Sequence, residues 1–316
     1  MMNLRVRSVT YEATDILSFE LVSADGAQLP GFDAGAHIDV RTPCGQSRRY
    51  SLCGDPEVRA SYRIAVLQVA DSRGGSRSMH QLRPGDRLEV SGPHNFFPLA
   101  SAAHHSILLA GGIGVTPLLA MLRSLERIGS SFEMHLCTRS PERTPFLPEL
   151  ARHVADAKVR LHHDLGDPLR GLDIRALLRE HRSGTHVYFC GPAGFMRAAS
   201  AACAHWPRES VHFEYFGAQP PSADAVPVEA ATQHLRLARS GRVVPISAGQ
   251  TMLQALRAAG IECASSCEAG LCGTCRTAYL EGKPKHQDLL LSDEERERDV
   301  LICCAHVEQG PVVLDL

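Results

Sequence analysis

Four cysteines carry the clearest chemistry in the chain. Cys267, Cys272 and Cys275 stand in Cys267-Glu-Ala-Gly-Leu-Cys272-Gly-Thr-Cys275, and Cys303 follows after 27 further residues. Thiolates are soft ligands, and C-x4-C-x2-C…C is a spacing that holds a [2Fe–2S] cluster. Three sulfurs must converge on one small group, which demands a short loop. Gly270 and Gly273 let the backbone wrap closely and aim amides at sulfur. Zinc competes for the same ligands, but zinc sites usually use paired C-x2-C knuckles, and only one is present. The chain has 11 cysteines, and six of them (Cys263, Cys267, Cys272, Cys275, Cys303, Cys304) fall within the last 54 residues. An odd total argues against a secreted disulfide scaffold, and the clustering points to metal.

Two glycine turns suggest a second chemistry. Gly111-Gly112-Ile113-Gly114-Val115-Thr116-Pro117 follows an apolar run and opens a helical one. Glycines there admit a ligand to the backbone, and a helix N-terminus favours phosphate. Cys190-Gly191-Pro192-Ala193-Gly194-Phe195-Met196 stands in the same position after another apolar run. Two such turns on adjacent strand ends would build one crevice. Cys190 itself reads either as a small buried residue or as part of that crevice. A third segment, Arg48-Arg49-Tyr50-Ser51-Leu52, taken alone is a plain strand. The nearby Ser72-Arg73-Gly74-Gly75-Ser76 is a glycine loop suited to cradling phosphate.

The elements that must position these residues fall into three groups. The first hundred residues alternate in short runs (Leu4–Val9, His37–Arg41, Tyr62–Val69, Arg87–Ser91) separated by turn signals such as Arg83-Pro84-Gly85-Asp86, the pattern of a barrel or sandwich. From His104 onward, apolar strands at Ile107–Ala110, Phe132–Thr138, Val159–His163 and His186–Cys190 alternate with helical stretches at Leu118–Leu125, Leu172–Glu180 and Phe195–Ala204, which implies a doubly wound parallel sheet. Residues 218–231, rich in Pro and Ala, read as a linker. Beyond it come strands at Gln233–Ala238 and Arg242–Ile246, a helix at Met252–Ala259, the cysteine loop and a last strand at Val312–Leu316. The expected organisation is an antiparallel β-barrel (1–102), an α/β doubly wound domain (103–217), a linker (218–231) and an α+β, β-grasp domain (232–316).

Composition narrows the function. Lys and Arg number 33 and Asp and Glu 35, a net charge of −2, so no basic field exists for nucleic acid. Residues Ser106–Leu122 carry no charge, but glycines and Pro117 break the run, which reads as strand, turn and helix rather than a membrane span. The first residues lack an apolar core of the signal-peptide kind, so a cytoplasmic protein is expected. The 16 histidines show no metal spacing, and Ser292-Asp293-Glu294-Glu295 is a helix capping box that could border a docking face.

Residues 230–316, with the helix Thr251–Gly260, resemble a plant-type ferredoxin domain. The GGxGxTP and CGPxxFM motifs resemble the NAD-binding module of the ferredoxin–NADP reductase superfamily, and Arg48-x-Tyr50-Ser51 resembles its flavin motif. The order of the three modules resembles the phthalate dioxygenase reductase and vanillate O-demethylase reductase family. That resemblance implies FMN rather than FAD, held by Arg48 on its phosphate, Tyr50 against the ring, Ser51 near N5, with Gly74, Gly75, Ser76, Thr116 and Phe216 around it. It implies NADH near Gly112, Gly114, Arg139, Cys190, Gly191 and Pro192, with Cys190 beside the nicotinamide, while Arg139 read by itself either pairs with the 2′-phosphate of NADPH or flanks the adenine ribose. It implies a cluster on Cys267, Cys272, Cys275 and Cys303, leaving Cys304 and Cys263 as packing residues, and Arg49 facing solvent.

A hydride carries two electrons and a [2Fe–2S] cluster accepts one, so a flavin must stand between them. The expected order is NADH, FMN, cluster and an external acceptor. The acceptor implied by the resemblance is a terminal oxygenase acting on an aromatic compound. A cytochrome P450 partner, or a non-catalytic iron–sulfur carrier, are the alternatives.

Overall fold

The computed structural model describes residues 1–70, 72, 74–216, 233–247, 249–265, 270, 273–288 and 290–316. The chain forms two compact units, Met1–Glu214 and Tyr215–Leu316.

The first unit begins with a six-stranded antiparallel sheet: β1 (Met2–Ala13), β2 (Ile16–Ser23), β3 (His37–Arg41), β4 (Ser47–Ser51), β5 (Tyr62–Leu67) and β6 (Arg87–Val90), with helix α1 (Gly75–Met79) between the last two. Its order is β4-β3-β6-β1-β2-β5. Alternation along β1 and β2 turns Leu4, Val6, Phe19 and Leu21 into the core. Thr14 and Asp15 join the two strands, with Asp15 at a φ of 65°. The sheet's edge strands meet where the Cys53 N–H donates to the Arg63 carbonyl at 2.8 Å, which curls it into the barrel expected from the sequence.

A five-stranded sheet follows: β7 (His105–Gly111), β8 (Ser131–Thr138), β9 (Val159–His163), β10 (Thr185–Gly191) and β11 (Val211–Tyr215), in the order β11-β10-β7-β8-β9. β10, β7, β8 and β9 pair in parallel. Its helices are α2 (Val115–Arg127), α3 (Leu147–Ala155), α4 (Ile174–Leu177) and α5 (Ala193–Ala202). β10 is buried throughout, as a strand covered on both faces must be. Pro117 sits in the first turn of α2, where its missing N–H is not needed. The helix expected over 172–180 is a single turn. Asp173 caps it, accepting from the Ala176 N–H at 2.9 Å, and the Leu178 carbonyl is taken by Trp206 Nε1 at 2.9 Å. The uncharged run 106–122 divides into β7, a 3-10 turn and α2, and no helix among the described residues is long and apolar enough to cross a membrane.

One hydrophobic core runs through both sheets of this unit, from Leu4 and Phe19 to Leu118, Met121 and Tyr188. Arg63 stitches the seam: it pairs with Glu12 and Glu149, both at 2.7 Å, and lies 4.8 Å over the buried Phe146 ring. The Ala100 N–H donates to the Tyr188 hydroxyl at 2.8 Å.

The second unit carries β12 (Gln233–Leu237), β13 (Val243–Ile246), α6 (Met252–Ala258), β14 (Arg276–Lys285), α7 (Asp293–Arg296), β15 (Asp299–Leu301) and β16 (His306–Leu314), in the mixed order β13-β12-β16-β14-β15. Thr251 and Gln254 cap α6 reciprocally, and Ser292 and Glu295 do the same for α7, the box read from the sequence. Met252, Leu253 and Leu256 of α6 enter a core of their own with Leu235, Val300 and Leu314. The last strand starts at His306, not Val312, because the exposed stretch Glu308–Pro311 still pairs with β14. The proline- and alanine-rich segment read as a linker, 218–231, lies outside the described residues.

Candidate functional site

The two glycine turns stand side by side because β7 and β10 are neighbours, with Cys190 opposite Ala110. A Cβ on Gly114 would lie 2.1 Å from the Cys190 carbonyl oxygen; one on Gly191 would lie 3.0 Å from the Gly111 Cα and 2.7 Å from the Phe195 ring. A Cβ on Gly111 would lie 2.8 Å from Pro192. These three glycines are therefore needed so that the strand ends can abut. Gly112 differs: its φ is 54° and nothing stands within 4 Å of its Cβ direction, so it is the glycine that leaves backbone open to a ligand. Thr116 is buried, and its hydroxyl donates to the Ile113 carbonyl at 3.0 Å, closing the turn. Arg139 is exposed just past β8, its carbonyl accepting from the Leu165 N–H at 2.9 Å. Gly114→Ala is expected to destabilise the protein by about 2 kcal/mol or more, since overpacking against rigid backbone has no cheap relief. Gly112→Ala should cost less, only the strain of a left-handed alanine. Urea unfolding of the two variants checks this, and equal midpoints would contradict it.

The barrel wall supplies a cation beside a second pair of glycines. Arg48 on β4 is half-buried and donates to the Ser47 carbonyl at 2.8 Å and to Gln46 Oε1. A Cβ on Gly75 would come within 3.1 Å of Arg48 Nε. Gly74, at a φ of 107°, starts α1 next to it, and the Gly74 N–H donates to Ser72 Oγ at 3.2 Å. Ser76 Oγ accepts from the Val69 N–H at 3.2 Å. Guanidinium and loop amides in one place suit a phosphate. Asp71 and Arg73 lie outside the described residues. Burial pushes the half-buried Tyr50 phenol up to about 12, so it stays protonated. Arg49 is exposed, as expected, and pairs with Asp39 at 3.5 Å.

Ser51, at the end of β4, meets the second sheet directly. Its hydroxyl donates to Glu214 Oε2 at 2.9 Å, joining the barrel to β11. Burial raises Glu214 to about 7 against the lowering effects of the Ser51 hydroxyl and Arg49. The Cys190 thiol is wholly buried and pushed well up by burial and then by Glu214. The floor where the two glycine turns meet the barrel is thus a set of proton-bearing but uncharged groups below neutral pH. Neither Glu214 nor His37, whose Nδ1 stands 3.8 Å from Glu214 Oε1, carries a site signal in the sequence. Nothing local distinguishes either: their meaning comes from strands far apart in the chain. Phe216 itself lies one residue beyond β11 and is exposed.

In the second unit Cys275, Cys303 and Cys304 are all buried. The Cys303 thiol is within hydrogen-bonding reach of both Cys275 and Cys304. The Cys304 thiol donates to the Leu301 carbonyl at 3.5 Å. Cys303 and Cys304 do not lie on an extended segment: the Cys304 and Ala305 N–H groups both return to the Leu301 carbonyl, so the segment turns. Gly270 and Gly273 have φ of 73° and 75°. A Cβ on Gly270 would strike Cys304 Sγ at 2.6 Å and Asp288 Cα at 2.9 Å. Two buried thiols in contact beside left-handed glycines fit a cluster cradle. Cys267 and Cys272 lie outside the described residues.

Comparison with known proteins agrees with this geometry. Residues 235–308 match the family described as 2Fe-2S iron-sulfur cluster binding domain. The chain is 44% identical to the tert-butanol monooxygenase / tert-amyl alcohol desaturase reductase subunit of Aquincola tertiaricarbonis, over 100% of this chain and 96% of that protein. It is 41% identical to the phthalate dioxygenase reductase of Burkholderia cepacia, over 100% and 97%. A solved phthalate dioxygenase reductase, described as a modular structure for electron transfer from pyridine nucleotides to [2Fe-2S], superposes with a TM-score of 0.73 at 41% identity, covering 100% of this chain and 98% of that one.

Proposed function

Because the chain belongs to the family of phthalate dioxygenase reductase, we propose that it is the reductase component of a two-component oxygenase system, drawing electrons from NADH and passing them through FMN and a [2Fe–2S] cluster to a separate terminal oxygenase in the cytoplasm. The observation that carries the reading is the Ser51–Glu214 hydrogen bond of 2.9 Å, which joins the flavin-type strand to the floor beneath the nucleotide-type turns. When bound, the nicotinamide supplies a hydride, and the flavin and cluster turn the pair into single electrons.

The chain's own residues hold, orient and seal. In this reading residues 1–102 bind FMN, 103–217 bind NADH, 218–231 link and 232–316 hold the cluster. Arg48 with Gly74, Gly75 and Ser76 takes the flavin phosphate; Tyr50, Ser51, Thr116 and Phe216 frame the ring. Gly112 admits the dinucleotide, Gly114, Gly191 and Pro192 shape its crevice, and Arg139 flanks the adenosine end. Cys190 and Glu214 floor the reacting end without charge. Cys267, Cys272, Cys275 and Cys303 ligate the cluster. No general base is needed, because hydride and electron transfer belong to the cofactors.

Anaerobic addition of NADH to the purified yellow-brown protein tests the reading. Flavin and cluster absorbance should both bleach, with one FMN and two irons per chain; no bleaching would sink it, and extracted flavin running as FAD would replace FMN alone. Arg48→Ala should lower flavin affinity roughly 10- to 100-fold, since a charged hydrogen-bond partner is worth about 1.5–3 kcal/mol. Flavin per chain after gel filtration reads this, and unchanged occupancy would remove Arg48 from the site.

A further inference from the structure

His37 and Ser51 are directly opposed partners on β3 and β4, so their side chains leave the sheet on the same face. They divide one carboxyl between them. Ser51 donates to Glu214 Oε2 at 2.9 Å, and His37 Nδ1 stands 3.8 Å from Glu214 Oε1. The imidazole is 3% exposed, and its Nδ1 finds no hydrogen-bond partner among the described residues. Backbone holds it in place: the His37 N–H donates to the His94 carbonyl at 2.8 Å and the His94 N–H to the His37 carbonyl at 2.9 Å. The Phe96 ring covers it at 5.6 Å between centroids and is itself 66% exposed. An orphaned, buried ring nitrogen 3.8 Å from one oxygen of a half-buried carboxyl calls for a shared proton, because each group alone would be costly to keep there.

We propose that His37 is a positioning residue of the hydride junction: with Ser51 it clamps the two oxygens of Glu214, and His37 and Glu214 together hold one proton beside Cys190. The inference rests on the function proposed above and adds a residue to it. The groups around the pair are Ser51 and Arg49 from β4, Asp39 from β3, His94 and Phe96 from the segment before β7 and Cys190 from β10. Burial holds His37 down at about 4 and Glu214 up at about 7. Between those values the pair carries one proton whichever atom bears it. As pH rises past about 7 that proton leaves, and the carboxylate that remains needs the Nδ1–H as its second donor.

The test is the pH at which Glu214 loses its proton, followed in the oxidised holoprotein by the infrared C=O band that disappears in Glu214→Gln. In His37→Phe the carboxylate loses a donor, so the inflection should move up by about one pH unit, the size of one hydrogen bond's support. His37→Asn, whose side-chain N–H can stand where Nδ1–H stood, should recover much of the shift. The pH profile of NADH-dependent ferricyanide reduction should move in the same direction. A band whose inflection is unmoved in His37→Phe overturns the inference. Should that variant not fold, the His37 imidazole resonance decides: it should show an inflection near pH 7 in the native protein that is lost in Glu214→Gln, and a native resonance without it overturns the inference. The infrared and resonance readouts need no NADH, so a protein that fails to oxidise NADH yet shows the shifts keeps the pair while losing the functional reading.

Discussion

Replacing Cys303 by Ala is expected to abolish the iron–sulfur absorbance, whereas Cys304→Ala should keep it. The two side chains sit next to each other in one turn, so sequence position alone cannot separate them. Their partners do. Cys303 reaches Cys275, another member of the proposed ligand set, whereas Cys304, itself within reach of Cys303, donates its thiol to the Leu301 carbonyl at 3.5 Å. Cys304 also packs against Gly270, where a Cβ would strike its Sγ at 2.6 Å. Removing one thiolate leaves an incomplete set that holds iron poorly. Removing a buried sulfur that only packs opens a small cavity, which costs on the order of 1 kcal/mol. Iron content and the visible spectrum of the two purified variants decide the matter, and loss of the cluster in Cys304→Ala with retention in Cys303→Ala would reverse the assignment.

Much of this arrangement was legible because the informative residues are punctuation. Glycine turns after apolar runs mark the strand ends of a parallel sheet, and β7 and β10 end where Gly111 and Gly191 said they would. The cysteine spacing is equally local. What stayed hidden depends on partners. β14 and the first half of β16 are largely exposed and polar, so they show little alternation, and only their pairing makes them strands. Helix α3 follows Phe146, a buried residue at a φ of 63° with no glycine to announce the turn. Ser51 and Glu214 are 163 residues apart, and a lone glutamate in Val-His-Phe-Glu-Tyr reads as the solvent face of an edge strand. Its opposite fate, partial burial against a serine and a histidine, is a product of two sheets sharing one core. Of the five glycines in the two turns, Gly111, Gly114 and Gly191 also serve close packing, which their spacing does not announce.

Truncation after residue 229 is expected to leave NADH-dependent ferricyanide reduction within about twofold of the full chain while lowering cytochrome c reduction at least about tenfold, because the cofactor that delivers single electrons to a protein acceptor is held by the part removed. The cut spares the first unit, whose core from Leu4 to Tyr188 is complete within Met1–Glu214. It removes a unit with its own core, built on Leu235, Leu253, Leu256, Val300 and Leu314. Each such side chain contributes roughly 1.5–3 kcal/mol by burial, so neither core borrows its main stability from the other. The flavin-type strand, both glycine turns and the Ser51–Glu214 contact all remain, so the small acceptor can still be served. A protein acceptor is larger than ferricyanide and must be met by the group that hands over electrons singly. Steady-state rates with both acceptors on the truncated protein measure the split. Cytochrome c reduction persisting at the full rate would place the exit for electrons in the first unit and refute the order NADH, FMN, cluster, oxygenase.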